Sequence, residues 1–382
     1  MPSILDNDLY QFTMSQYAWR HDAERVVRYR FRNRTFAVPL GEVLDIGELE
    51  ARLERVSAIA VTDADVDVLR GLGVFDEEWL AWLRTVTTLP PVEVGVQDGH
   101  LTATYEGPWP VAIFLETPVL ATVTELYQER FGADLAEGER RLASKIRHLQ
   151  ENPQLRFMEF GTRRRHSAGW QAHVLDRLLA TVPGTVLGTS NVELAARHGI
   201  PALGTMAHQL FMVTTARALA EGGRDLVEPS LVVLARWAEM FPTLRTLLPD
   251  TYTTPTLLDA AGDDVAAWPA VRIDSGDPIE IGRQVLRWWE HHGEGPRDHA
   301  LVFSDALDLR AMSLLHDIFE ATTDVSFGWG TNLTNDVGVA ALALVIKPDA
   351  VDGIPCVKLS DDLAKATGDR QEIARYLHLR EP

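Results

Sequence analysis

Val271-Arg272-Ile273-Asp274-Ser275-Gly276-Asp277-Pro278, followed by Ile279 to Trp289, reads as one βα unit. A short apolar strand runs into a polar corner containing glycine, and proline then opens a helix-like stretch. Leu301-Val302-Phe303-Ser304-Asp305 before Leu307 to Phe319 repeats the pattern. Four further corners carry glycine and threonine: Phe160-Gly161-Thr162 after Leu155 to Met158, Leu187-Gly188-Thr189 after Thr185-Val186, Leu203-Gly204-Thr205 after Ile200, and Phe327-Gly328-Trp329-Gly330-Thr331 after Val325. Six such units in a row predict an α/β fold with a parallel sheet, and favour a barrel over an open sheet.

Toward the N-terminus the period changes several times. Asn7 or Asp8 is placed to cap a helix through Trp19, and Val27, Tyr29 and Phe31 alternate with Arg28, Arg30 and Arg32 as in a half-buried strand. Helices are expected near 42–56, 63–71 and 76–85, and a hairpin over 92–116 turns at Asp98-Gly99. Pro108 and Pro110 are expected to interrupt before another strand, Val111 to Leu115. Leu342 to Ile346 and Pro355 to Leu359 read as strands that rejoin the first domain. The expected domains are 1–117 (N-terminal α/β), 118–341 (catalytic barrel) and 342–382 (C-terminal strands and helix).

The chain of 382 residues has 36 Lys+Arg against 55 Asp+Glu, a formal charge of −19, and 46% hydrophobic residues. That content excludes intrinsic disorder, and the charge repels phosphodiester backbones, so neither nucleic acid nor an anionic membrane is an expected partner. Cys356 is the single cysteine, which excludes an internal disulfide framework and a cysteine-rich metal site. The opening Met1-Pro2-Ser3-Ile4-Leu5-Asp6 lacks a basic n-region and an apolar h-region. The longest apolar run, around Val337 to Ile346, is too short for a bilayer. The expectation is a soluble cytoplasmic protein.

In a parallel barrel the corners share one rim. Glycine there lets backbone approach an anion, threonine donates, and the next helix presents free amides. Several such corners imply a ligand with several phosphates, although any single Gly-Thr pair is more often an ordinary strand-to-helix turn. Arg163-Arg164-Arg165 is a cationic island that either clamps phosphate or carboxylate or pairs with acidic surface helices. Asp274 and Asp277 suit ribose hydroxyls or a Mg²⁺ held mostly by the ligand's own oxygens, while Asp277 before Pro278 equally suits a helix cap. Ser304-Asp305 repeats the theme more weakly. His208, three residues after Thr205 at a helix start, is the one histidine of twelve embedded in such a corner, against a more common surface or structural role. His291, His292 and His316 read as solvated helix positions.

Absences narrow the chemistry. There is no G-x-x-x-x-G-K-[ST] loop, and Gly328-Trp329-Gly330 lacks a third Rossmann glycine, Leu333 standing in its place. Lys145, Lys347, Lys358 and Lys365 are the only lysines and none falls in a rim motif, which disfavours a Schiff-base aldolase.

Taken together, Asn7-Asp8-Leu9-Tyr10-Gln11, Phe160-Gly161-Thr162-Arg163-Arg164-Arg165, Gly188-Thr189-Ser190-Asn191, Gly204-Thr205-Met206-Ala207-His208, Asp274-Ser275-Gly276-Asp277-Pro278, Phe303-Ser304-Asp305 and Phe327-Gly328-Trp329-Gly330-Thr331 resemble, in order and spacing, bacterial nicotinate phosphoribosyltransferase. The resemblance spans nearly the whole chain. It implies synthesis of nicotinate mononucleotide and pyrophosphate from nicotinate and phosphoribosyl pyrophosphate, coupled to ATP hydrolysis, at the Preiss-Handler entry to NAD salvage. It also implies a truncated (β/α) TIM-like barrel with an N-terminal α/β domain, in a head-to-tail homodimer with shared active sites.

By the same resemblance His208 is a phosphohistidine and catalytic, with Asp274. Phe160 and Tyr10 of the neighbouring subunit sandwich the pyridine ring, and Arg163, Arg272 and Thr205 address the nicotinate carboxylate and adjacent phosphates. Asp274 and Asp277 take ribose hydroxyls and magnesium-linked oxygens, with Mg²⁺ near both, and Ser275, Gly276 and Ser304 bind substrate. Gly328, Gly330 and Thr331 hold the 5′-phosphate. Displacing pyrophosphate from ribose C1 needs carboxylates near the sugar and cations near the leaving group, and both types are present. Gln209 departs from the family's glutamate after the histidine, Ile273 from a histidine before the aspartate, and Met206 stands where nicotinamide-using relatives carry aspartate, so the acid is the expected substrate. A phosphosugar lyase or isomerase and a non-catalytic nucleotide sensor are the competing readings. The lysine-poor rim speaks against the first, and intact His208, Asp274 and Asp277 against the second.

Overall fold

The structure is a computed structural model in which residues 3–380 are described. The chain forms two compact units: the first takes the chain up to Gly204 together with Trp329–Lys347, the second Thr205–Gly328 together with the chain from Pro348 on.

In the first unit, Val26–Asn33 (β1), Glu93–Gln97 (β2) and His100–Pro108 (β3) form an antiparallel ladder, β3 pairing with both others. Val27, Tyr29 and Phe31 are buried as the alternation requires, and Tyr29 stacks on its cross-strand partner Tyr105 at 4.9 Å. The β2–β3 turn has φ +50 at Asp98 and +77 at Gly99, the doubly positive geometry that matches strand twist. Arg34 N donates to Ala343 O, so the chain returns beside the end of β1.

Helix Leu9–Asp22 forms as expected, but neither Asn7 nor Asp8 caps it with a side chain. Asp8 instead accepts from Ser190 Oγ at 2.6 Å and Thr117 Oγ1 at 3.2 Å, while Asn7 donates to Phe114 O at 2.9 Å. Buried hydroxyls left without an acceptor cost about 1–3 kcal/mol, more than a cap contributes when Leu9 N already donates to Ser190 O.

Val111 to Leu115 is helix and 3-10 turn, not strand. Pro110 sits in the first turn, where its missing N–H is harmless, and a short apolar run carries no period that separates strand from buried helix. With Glu116–Phe131 it makes a helical stretch of 23 residues, Trp109–Phe131, long and apolar enough to cross a bilayer by length and composition. This exceeds the longest run expected from sequence, yet 78% of its most apolar window is buried within the protein, where Trp109, Ile113, Phe114, Val119 and Val123 form core.

Phe157–Glu159 (β4) and Val186–Thr189 (β5) pair in parallel. The strand expected after Ile200 reduces to one parallel bridge, Thr189 to Ala202, because Pro201 has no N–H for a longer ladder.

The second unit holds Thr246–Leu247 (β6), Ala270–Ile273 (β7), Ala300–Phe303 (β8) and all but the last residue of Asp324–Trp329 (β9), each parallel to the next. Helix Pro278–His291 returns between β7 and β8. Ile281, Val285, Trp288 and Trp289 recur at helical spacing on its buried face, each worth about 1.5–3 kcal/mol on full burial. Its start is fixed by Asp277, whose Oδ1 accepts from Ile279 N at 2.8 Å and Glu280 N at 3.1 Å. Helix Leu309–Phe319 returns between β8 and β9 in the same way. Leu344–Val351 (β10) turns back on Ile354–Pro355 (β11). Parallel strands with intervening helices, together with an antiparallel sheet, establish the mixed α/β class.

Candidate active site

His208 flanks helix Gln209–Ala220, and Met212 N donates to its carbonyl, so the backbone enters the first helical turn there. The side chain is buried. Nδ1 lies 3.0 Å from Thr251 Oγ1, while Nε2 lies 2.9 Å from Lys358 Nζ, 3.3 Å from Asp274 Oδ2 and 3.8 Å from Asp250 Oδ1. An ammonium only donates, so Nε2 presents its lone pair to Lys358 and Nδ1 carries the ring proton toward Thr251; this tautomer follows from the partners. Burial and the Lys358 charge push the imidazole pKa down to about 4, against the upward pull of Asp250 and Asp274. At neutral pH the ring is therefore uncharged, with one nitrogen available as a nucleophile.

The two carboxylates are supported separately. Asp274, at the end of β7, accepts on Oδ1 from Arg272 Nη2 and Ser304 Oγ, both at 2.7 Å, and Arg272 Nε donates to Ser304 at 2.8 Å. Asp250, just past β6, accepts on Oδ2 from Ser275 Oγ at 2.6 Å and Lys358 Nζ at 3.2 Å. Burial opposes ionisation of both, but the Arg272 guanidinium holds Asp274 well below the usual carboxylate range, and the Lys358 ammonium lowers Asp250. Two acids and two bases thus balance around a neutral ring.

This unit brings His208, Arg272, Asp274, Ser275 and Ser304 together as expected. Thr205 lies in the loop ahead of His208, Gly276 has φ +77, Gly328 is buried in β9, and Asp277 is turned to its helix cap. Lys358, Asp250 and Thr251 were missed. Lys358 belongs to no corner motif; its position between buried Val357 and Leu359 was the available signal. Asp250 follows a strand of two residues, too short to register. His316 is buried rather than solvated.

In the first unit the turn Thr162–Arg164 after β4 positions Arg163 5.5 Å above the Tyr10 ring, with Nε 3.7 Å from Asp8 and Nη1 3.5 Å from Glu116. Burial would raise the Glu116 pKa, but Lys347 at 3.3 Å and Arg163 outweigh it and lower it. Phe160 N donates to Trp329 O at 2.9 Å, and a Cβ on Gly330 would stand 2.9 Å from Phe160 O, so the Phe160 and Gly330-Thr331 corners are packed backbone to backbone. Glu159, fully buried, ties two corners by accepting from Thr189 Oγ1 at 2.6 Å and from Gln171, which also reaches Thr162. Arg165 is committed to Asp6 and Glu125.

A nicotinate phosphoribosyltransferase (NAPRTase) family model matches residues 155–380, and a model of the family's N-terminal domain matches 5–124. The chain belongs to the nicotinate phosphoribosyltransferase family. A nicotinate phosphoribosyltransferase structure from Porphyromonas gingivalis is similar with 29% identity and a TM-score of 0.89, over 100% of this chain and 99% of that one. One from Vibrio cholerae gives 28% and 0.89, over 99% and 93%. A Saccharomyces cerevisiae structure, 23% identical over 100% and 98%, shares the fold with a TM-score of 0.90. Membership makes this protein a phosphoribosyltransferase with nicotinate and phosphoribosyl pyrophosphate as substrates, serving NAD biosynthesis.

Proposed function

We propose that the protein makes nicotinate mononucleotide in NAD salvage and couples that synthesis to ATP through a phosphoryl group carried on His208. The observation behind this reading is the uncharged, buried imidazole whose Nε2 lone pair faces Lys358 between two carboxylates. Nε2 attacks the γ-phosphorus of ATP, forming an N–P bond as the bond to the ADP oxygen breaks and ADP leaves with that electron pair. The ring proton stays on Nδ1, donated to Thr251 Oγ1, so no proton must leave before attack. In the second reaction the pyridine nitrogen of nicotinate forms a bond to ribose C1 while the C1–O bond to pyrophosphate breaks. Asp274 faces the developing positive charge on the sugar, and Arg272 and Lys358 face the phosphates.

On this reading Phe160 and Tyr10 of the neighbouring subunit supply ring faces for the pyridine and Arg163 a guanidinium for its carboxylate, Gly330 and Thr331 bind phosphate from the first unit, and Thr205, Ser275, Gly276, Ser304 and Gly328 belong to the second unit's contribution. Met206 is buried and offers no acceptor for a carboxamide N–H, which favours nicotinate over nicotinamide. The reading includes a homodimer with shared sites.

Mg²⁺ supplies charge neutralisation on transferring phosphates. His208, Asp250 and Asp274 offer three ligand atoms within 4.8 Å of one another, but the Lys358 ammonium lies among them and takes a cation's place. Asp277 is spent on its helix cap. These residues do not fit a protein-caged Mg²⁺, and the ion on this reading arrives on substrate phosphates.

Two measurements test the reading. Pyrophosphate release must require both nicotinate and phosphoribosyl pyrophosphate, and ATP labelled at its γ-phosphate must leave an acid-labile label on the wild type but not on His208→Ala. Full ATP stimulation in His208→Ala sinks the phosphohistidine, and faster turnover of nicotinamide than nicotinate sinks the specificity.

A further inference from the structure

Thr251, the partner of His208 Nδ1, opens a turn whose backbone is strained. Thr253 has φ +82 and ψ 142, a region nearly reserved for glycine and a marked outlier for a β-branched residue. Such geometry persists only where neighbours enforce it. Here the enforcing group is Asp361. Its Oδ1 accepts from Thr254 N and its Oδ2 from Thr254 Oγ1, both at 2.6 Å, a two-pronged hold on the residue after the strained one.

The same segment grips the other end of the turn. Leu359 N and Ser360 N both donate to Thr251 O, at 2.9 and 3.2 Å, and Ser360 itself has φ +71. Asp361 N donates to Ser275 Oγ at 3.2 Å, the hydroxyl that donates to Asp250. A Cβ on Gly276 would stand 3.0 Å from Asp361 Cβ, so the loop after β7 closes directly on this residue. Lys358, which faces Nε2, lies three residues earlier on the same segment. Asp361 therefore joins the pieces that set both faces of the imidazole while touching neither ring nitrogen.

We infer that Asp361 is a positioning residue for His208, holding Thr251 and Asp250 in place by clamping the Thr253-Thr254 turn. The inference rests on the phosphohistidine reading above, and it deepens that reading with a residue outside the resembling motifs. Release of the clamp lets Thr253 relax toward negative φ, which moves Thr251 off Nδ1 and leaves the ring free to turn.

The test compares wild type, His208→Ala, Asp361→Ala, Asp361→Asn and Thr254→Val. Two readouts are taken: the rate of acid-labile label uptake from ATP, and the ratio of ATP-stimulated to ATP-independent pyrophosphate release. Loss of a charge-assisted hydrogen bond predicts that Asp361→Ala lowers both by about tenfold. Asp361→Asn, which keeps one acceptor, and Thr254→Val, which keeps the backbone donor, fall between. Wild-type label uptake and an unchanged ratio in folded Asp361→Ala overturn the inference. If Asp361→Ala does not fold, the same result in Asp361→Asn and Thr254→Val overturns it. Absence of label on the wild type overturns the phosphohistidine reading and this inference with it, whereas label on the wild type with unaffected variants removes only the clamp.

Discussion

Arg165 and Asp6 face each other as a two-pronged ion pair, Nη1 to Oδ1 at 2.6 Å and Nη2 to Oδ2 at 2.7 Å, with Glu125 on Nε at 2.8 Å. Of three consecutive arginines, one is thereby structural. Arg165→Ala strands the half-buried Asp6 and Glu125 and is expected to cost about 1.5–3 kcal/mol, the range for hydrogen bonds to charged groups; chemical denaturation measures it.

The same pair predicts an acid limb. Burial works to raise the Asp6 pKa, but Arg165 prevails and holds it below the ordinary 3.8. A depressed carboxyl contributes stability above its unfolded value and loses it as pH falls through the folded one. Melting temperature should therefore drop on acidification below about pH 4, and Asp6→Asn should flatten that limb. An unchanged slope in the variant would show that other carboxyls carry it.

Lys358→Met removes the charge that, with burial, keeps the His208 pKa down at about 4. Histidine-selective NMR titration should show it rising toward the ordinary 6.5. The variant also leaves Asp250 uncompensated, a loss of about 3–5 kcal/mol. A His208 that still titrates near its original value would mean desolvation acts alone.

Gly330→Ala places a methyl 2.9 Å from Phe160 O, where backbone must yield. Overpacking of this kind costs about 1–3 kcal/mol. The displaced Phe160 should raise the nicotinate KM more than it lowers kcat, and equal changes in both would argue that Phe160 does not meet the ring.

Asp277→Ala deletes two bonds to helix amides and is expected to cost about 1 kcal/mol. Asp277→Asn should restore most of that, since an amide oxygen caps nearly as well. Failure of asparagine to restore stability would point to the charge rather than the cap.

The βα order, the hairpin at Asp98-Gly99 and the strand at Val27–Phe31 were legible because period and turn chemistry are local properties of the chain. The Val111–Leu115 strand was misread since five apolar residues carry no period, and burial, a tertiary property, decided between helix and strand. Asp274, Arg272 and Ser304 announced themselves by sitting at strand ends, and His208 by sitting at a helix start just after a Gly-Thr corner. Lys358 and Asp250 did not, because each reaches His208 from a segment with no corner motif, and only folding places a lysine 150 residues downstream against that ring.

The even match of acids and bases around His208 has an outcome for timing. A phosphoryl group brings roughly two extra negative charges into an interior whose cations are already answered. Among the described residues no further cation faces the ring, so on the proposed phosphohistidine reading the modified ring would be a loaded spring, held only until its phosphoryl group is passed on.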